Sequence, residues 1–116
     1  MKGTDGSRTS ADIARTVNAI FLNMIRLKAS EVLIEPTEAK ERFEIAFNTG
    51  SSFRKVTPPK HLYEPIIARL TILTSPRHTS QGTKEGTLQF AEKGERETFR
   101  IKFEPTPFGE KVTITL

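Results

Sequence analysis

The chain has 116 residues, no cysteine and no tryptophan, and a formal net charge of +4 from 18 Lys and Arg against 14 Asp and Glu. That length suits one domain, able to bury roughly two thirds of its unfolded surface. The lack of cysteine excludes a disulfide framework and thiolate chemistry. No run of about 18 apolar residues is present to cross a bilayer, and Met1–Ser7 lacks the apolar centre of a signal peptide. These features fit a reducing cytoplasm. The charges are interspersed rather than blocked, so the basic balance reads as a solvated surface before it reads as a nucleic-acid tract.

Residues 1–9 are polar and read as a flexible leader, leaving 10–116 as the folded domain. Ser10 is the expected helix N-cap, with Asp12 in the first turn where the helix dipole favours an anion. Ile13, Val17, Ile20, Phe21, Met24 and Ile25 recur at helical spacing and predict an amphipathic helix over 11–28. A short strand over Glu31–Glu35 is stopped by Pro36, which cannot donate to a ladder. Glu41–Phe47 then alternates, with Phe43, Ile45 and Phe47 on one face and Arg42, Glu44 and Ala46 on the other. The turn-forming run Asn48–Ser52 leads into a returning strand, Phe53–Val56.

Pro58-Pro59 ends that hairpin, and a second helix is expected over roughly 60–73 with Leu62, Ile66, Ile67, Leu70 and Leu73 as its stripe. Pro65 is tolerated only near the helix start, where its missing N–H is not needed, so a later start suits it better. Residues 74–86 are polar and read as a long loop. Three strands close the chain. Leu88 and Phe90 point inward in the first, and Lys93-Gly94-Glu95 turns it. Phe99, Ile101 and Phe103 alternate with Arg100, Lys102 and Glu104 in the second. Pro105–Gly109 makes the next turn, with Gly109 supplying a positive φ. Val112, Ile114 and Leu116 alternate with Thr113 and Thr115 in the last. The order α-β-β-β-α-β-β-β, with one apolar face per strand, predicts an α/β domain of the α+β kind: a largely antiparallel sheet with helices on one face.

Reactive constellations are thin. His61 and His78 are far apart and lack the companions a zinc site needs. Ser75, Ser80 and His78 have no acid placed to orient the imidazole, and no nucleophile elbow is present. Glu31, Glu35 and Glu38 read as solvent-facing carboxylates. Gly82–Thr87 contains glycines and a lysine but lacks the order of a phosphate-binding loop, so ATP hydrolysis by this sequence alone is not expected. Phe43, Phe47, Phe99 and Phe103 alternate with Arg42, Arg100 and Lys102, as a base-stacking sheet would, but they share their face with Ile45 and Ile101 and read as core. No catalytic residue, metal or cofactor is expected.

Two stretches carry a family resemblance. Ala29-Ser30-Glu31-Val32-Leu33-Ile34-Glu35-Pro36 follows the first helix, and Pro107-Phe108-Gly109-Glu110-Lys111-Val112-Thr113-Ile114-Thr115-Leu116 closes the sequence. With Pro58-Pro59-Lys60 and the helix bearing Ile66, Ala68, Arg69 and Leu70, they resemble the PAS-like domain that precedes the motor in type II secretion and type IV pilus assembly ATPases. The resemblance spans most of residues 10–116. Glu31 and Leu33 stand where the family has Asp and His, Asn48-Thr49-Gly50 replaces an Arg-x-Asp-Gly turn, and Thr87 stands where a Gln-Asp-Gly-Arg motif should end. In the family, arginines of this region reach toward nucleotide held by the motor. The resemblance therefore implies a scaffold or docking fold without the nucleotide contacts and without the motor itself.

The implied function is a non-catalytic protein-interaction or assembly domain, cytoplasmic, with a secretion or pilus ATPase, a membrane platform protein or another copy as partner. The helix 11–28 and the loop 74–86 are the candidate surfaces, and Arg69, Arg77, His78, Lys84 and Lys111 the candidate partner-binding residues. A sensor holding a small ligand between helix and sheet is one alternative. A nucleic-acid-binding module, resting on basicity alone, is another. An excised piece of a divergent ATPase is a further reading of the chain itself.

Overall fold

The computed structural model describes residues 5–39 and 41–116. Its elements are α1 (Asp5–Arg26), β1 (Glu31–Glu35), β2 (Glu44–Asn48), β3 (Phe53–Val56), a single 3-10 turn (Lys60–Leu62), α2 (Tyr63–Thr74), β4 (Arg77–Ser80), β5 (Thr83–Glu92), β6 (Glu95–Thr106) and β7 (Gly109–Thr115). The seven strands form one antiparallel sheet in the order β3-β2-β1-β7-β6-β5-β4. Two meanders, β1 to β3 and β4 to β7, are joined where β1 pairs with β7, with Val32 opposite Ile114 and Ile34 opposite Val112.

The alternation in each central strand dictates this layering. Val32 and Ile34, Ile45 and Phe47, Phe99, Ile101 and Phe103, and Val112 and Ile114 are buried on one face. They pack against Ile13, Val17, Ile20, Phe21 and Met24 of α1 and Tyr63, Ile66, Ile67 and Leu70 of α2. Phe21 sits at the centre, its ring 4.9 Å from Phe99 and 5.6 Å from Phe90. Aromatic and aliphatic side chains fill the space between helices and sheet; Phe21, Phe43, Phe99, Phe103 and Met24 are fully buried.

α1 ends in a double cap. Lys28 takes a positive φ of 57°, its N–H donates to the Ile25 carbonyl, and the Ala29 N–H donates to the Met24 carbonyl. This closes the last turn with a lysine where glycine is commoner. The helix begins at Asp5, so Ser10 lies inside it and is not its cap. Residues 1–4 of the expected leader lie outside the described residues. The second helix starts at Tyr63 behind the 3-10 turn, which places Pro65 in its first turn as its chemistry requires.

The expected loop 74–86 is instead a hairpin. Its arms are β4 and the start of β5, and its turn is Gln81-Gly82, both at positive φ (33° and 84°). A strand exposed on both faces has no apolar alternation to betray it, and all four residues of β4 are exposed. Gly86 brings β5 under the end of α2: a Cβ there would lie 2.9 Å from the Thr74 carbonyl oxygen. Pro105 and Thr106 belong to β6 rather than to the following turn. Leu116 is 51% exposed and not part of the core.

Phe21→Ala is expected to remove about 3–5 kcal/mol of stability, because a ring packed on two others leaves a cavity. Phe53→Ala, at an edge position 63% exposed, is expected to change stability by less than about 0.5 kcal/mol. Urea unfolding of both variants checks the pair.

Candidate functional site

Short motifs far apart in the chain meet at one end of the sheet, around the chain's single tyrosine. The Tyr63 ring stands edge-on to Phe43 with centroids 5.5 Å apart, and its hydroxyl donates to the Glu110 carbonyl. Gly109 has a φ of +134°, and a Cβ there would lie 2.8 Å from the Tyr63 hydroxyl oxygen and 3.4 Å from Pro36. Only glycine permits both the conformation and the approach. The Pro58-Pro59-Lys60 segment is held to the residues that lead into β2. The Phe43 N–H donates to the Pro58 carbonyl at 3.2 Å and the Lys60 N–H to the Glu41 carbonyl at 2.7 Å. Lys60 Nζ lies 5.5 Å from the Tyr63 ring centroid. Burial, and then the Glu110 and Glu64 carboxylates, push the phenol up to about 12.

The outer rim of this junction mixes charged and apolar side chains, with Lys60, His61 and Glu64 beside Pro65 and Phe108. Phe108, at the tip of the β6–β7 turn, is 52% exposed, and Ile72 on α2 is 72% exposed. Two shallow depressions flank the turn. One of about 300 Å³ lies over Ile67, Ala68 and Gly109. The other, of about 390 Å³, lies over Lys60, His61, Pro65 and Phe108. Pro65, Ala68 and Ile72 follow one another at helical spacing, and Ile72 lies about two turns beyond Pro65 on the same face of α2. Among the described residues, no three His, Cys, Asp or Glu side chains are grouped to hold a metal ion.

The five basic residues singled out from the sequence do not form one surface. Arg69 is partly buried on α2, and its Nε has no hydrogen-bond partner among the described residues. His78 and Lys84 are register partners on the helix-bearing side. Lys84 Nζ is 3.5 Å from Glu110 Oε2 and 5.6 Å from the Phe103 ring centroid. Arg77 and Lys111 project from the opposite face, where Lys111 Nζ is 3.9 Å from Glu104 Oε1. The apolar stripe of the helix expected over 11–28 is consumed by the core, so it is not a free surface. Tyr63, Phe108 and Ile72 were missed. The signal for Phe108 was present, an aromatic residue at the tip of a turn beside a glycine.

The face opposite the helices is uncovered among the described residues and largely polar, with Leu33 and the exposed Phe53 among its apolar members. It holds a shallow depression of about 210 Å³ lined by Glu31, Glu85, Arg100, Lys102, Thr113 and Thr115. Glu31 and Leu33, two of the departures from the family pattern, both lie on this face.

The fold and these surfaces define an α+β domain with one filled core and one uncovered sheet face. No family-level sequence profile matches the chain. Individual proteins do. The chain is 31% identical over 108 residues to the type IV pilus assembly ATPase PilB of Myxococcus xanthus, a match covering 91% of this chain and 19% of that protein. It is 24% identical over 115 residues to PilB of Acinetobacter baylyi, covering 97% and 20%. It is 25% identical over 109 residues to type II secretion system protein E of Xanthomonas campestris pv. campestris, covering 93% and 19%. The chain is thus a homologue of type IV pilus assembly ATPases and of type II secretion protein E, and it spans about a fifth of their length. Among the described residues no helix is long and apolar enough to cross a membrane.

The single tyrosine is expected to titrate near 12 in the folded chain and near 10 once unfolded, in an absorbance titration with and without urea. Because the folded phenol holds its proton more tightly, its contribution is complete below pH 10 and is lost as pH rises from 10 to about 12. Tyr63→Phe is expected to remove that alkaline dependence and about 1 kcal/mol of stability, from the lost hydrogen bond. Gly109→Ala is expected to cost about 1–3 kcal/mol through backbone strain and crowding of Tyr63.

Proposed function

We propose that the chain is a non-catalytic assembly domain of a secretion or pilus machine, corresponding to the part that precedes the motor and working in the cytoplasm. The carrying observation is that almost the whole chain aligns with a fifth of the length of pilus ATPases and secretion protein E, while its sequence contains no phosphate-binding loop. The full burial of Phe21, Phe99 and Phe103 between helices and sheet speaks against a ligand sensor, which would need an apolar chamber there. The buried inner-face aromatics leave no stacking platform for bases.

In this reading the domain presents the exposed Phe108 and Ile72 to a motor ATPase or a membrane platform protein. Arg77 and His78 are the most accessible of the expected basic residues and steer the encounter from the β4 edge. The purified chain is expected to show no ATP hydrolysis and to bind the purified cognate motor or platform protein in calorimetry. Phe108→Asp with Ile72→Asp is expected to weaken that binding by roughly tenfold or more while leaving the melting temperature unchanged. ATP turnover by the pure chain, or binding to neither protein, would sink the proposal.

A further inference from the structure

The sheet ends in two edges, β3 and β4, with no strand beyond either among the described residues. Alternate backbone N–H and C=O groups of an edge strand point outward and can template a further strand. β4 carries Arg77 and His78 and no large apolar side chain. β3 is different. Its residues Phe53-Arg54-Lys55-Val56 are all exposed, Phe53 at 63% and Val56 at 51%. Register sets Arg54 and Val56 on the helix-bearing side, opposite Phe47 and Ile45. It sets Phe53 and Lys55 on the open side, opposite Asn48 and Ala46. Each side of this edge therefore offers one apolar and one cationic side chain to a strand laid against it.

Charge decides which strand fits. From Asn48 to Tyr63 the sequence holds Arg54, Lys55 and Lys60 and no Asp or Glu. Lys55 pairs with Glu44 at 3.5 Å, whereas Arg54 makes no ion pair among the described residues. A second copy is repelled. Antiparallel pairing of β3 with itself about a two-fold axis sets Arg54 against Arg54 or Lys55 against Lys55, because directly opposed side chains share a face. Pairing with β4 of another copy brings the two cations of β3 against Arg77 and His78. We propose that the β3 edge instead takes an extended acidic segment of a partner protein as an added strand. Main-chain hydrogen bonds hold such a strand and its side chains select it. The pattern that fits is apolar, acidic, acidic and apolar, opposite Phe53, Arg54, Lys55 and Val56. The proposal does not rest on docking at Phe108 and Ile72, which belong to other elements.

Titration of the isotope-labelled chain with the end-capped peptide Thr-Val-Glu-Glu-Val-Thr, followed through backbone amide NMR signals, tests it. The Phe53–Val56 amides are expected to shift in a saturable way that weakens as salt screens the charges. The peptide Thr-Val-Lys-Lys-Val-Thr is expected to leave them in place. So is the acidic peptide N-methylated at both glutamates, which keeps the charge and loses the N–H groups that pair. Arg54→Glu, at an exposed position, is expected to keep the parental melting temperature and weaken acidic-peptide binding roughly fivefold or more. No shift of these amides with the acidic peptide would overturn the proposal. Equal binding of the N-methylated peptide, or of a DNA duplex at the same amides, would overturn it too, since charge alone would then account for the attraction.

Discussion

Everything in this domain depends on one constraint: a seven-stranded antiparallel sheet has one apolar face, and that face must be covered. Two helices do this, and Phe21 is where they meet the sheet, packed on Phe90 and Phe99. Once α1 and α2 are committed to that face, the opposite face is left mostly to polar side chains, with Leu33 and Phe53 among the exceptions. The division between a filled core and an open, charged surface is therefore a consequence of coverage.

The second constraint is closure at the Tyr63 end. The chain reaches the centre of the sheet twice, first as β1 and last as β7, and the two passages must be locked together with the hairpin and α2. Gly109 permits this by letting Pro36 and the tyrosine hydroxyl come against its Cα. The motif residues retained from the family pattern, Glu35-Pro36, Pro58-Pro59-Lys60 and Gly109-Glu110, gather at this lock. Their retention is explained by architecture without any nucleotide. Phe108 is exposed because the same tight turn that delivers Gly109 pushes its neighbour outward.

Function in this reading lies on surfaces rather than in a pocket. The exposed Phe108 and Ile72 and the open sheet face are separate surfaces of the domain. That separation suits a component of a multi-part machine. The chain spans about a fifth of the length of its homologues.

The sequence by itself determined the elements with one buried face: α1, β1, β2, β5 to β7 and the apolar stripe of α2. It also determined the family likeness, because motif and periodicity are local properties. Only the tertiary structure revealed β4, since an edge strand exposed on both faces carries no period-two signal. Only the tertiary structure showed that the stripe of α1 is spent on the core and that Arg69, Arg77, His78, Lys84 and Lys111 scatter over three surfaces. The physical reason is register. Which charges share a face, and whether Lys84 finds Glu110 or Lys111 finds Glu104, is set by pairing between strands distant in the chain. Those pairings are decided only when the whole sheet closes on its core.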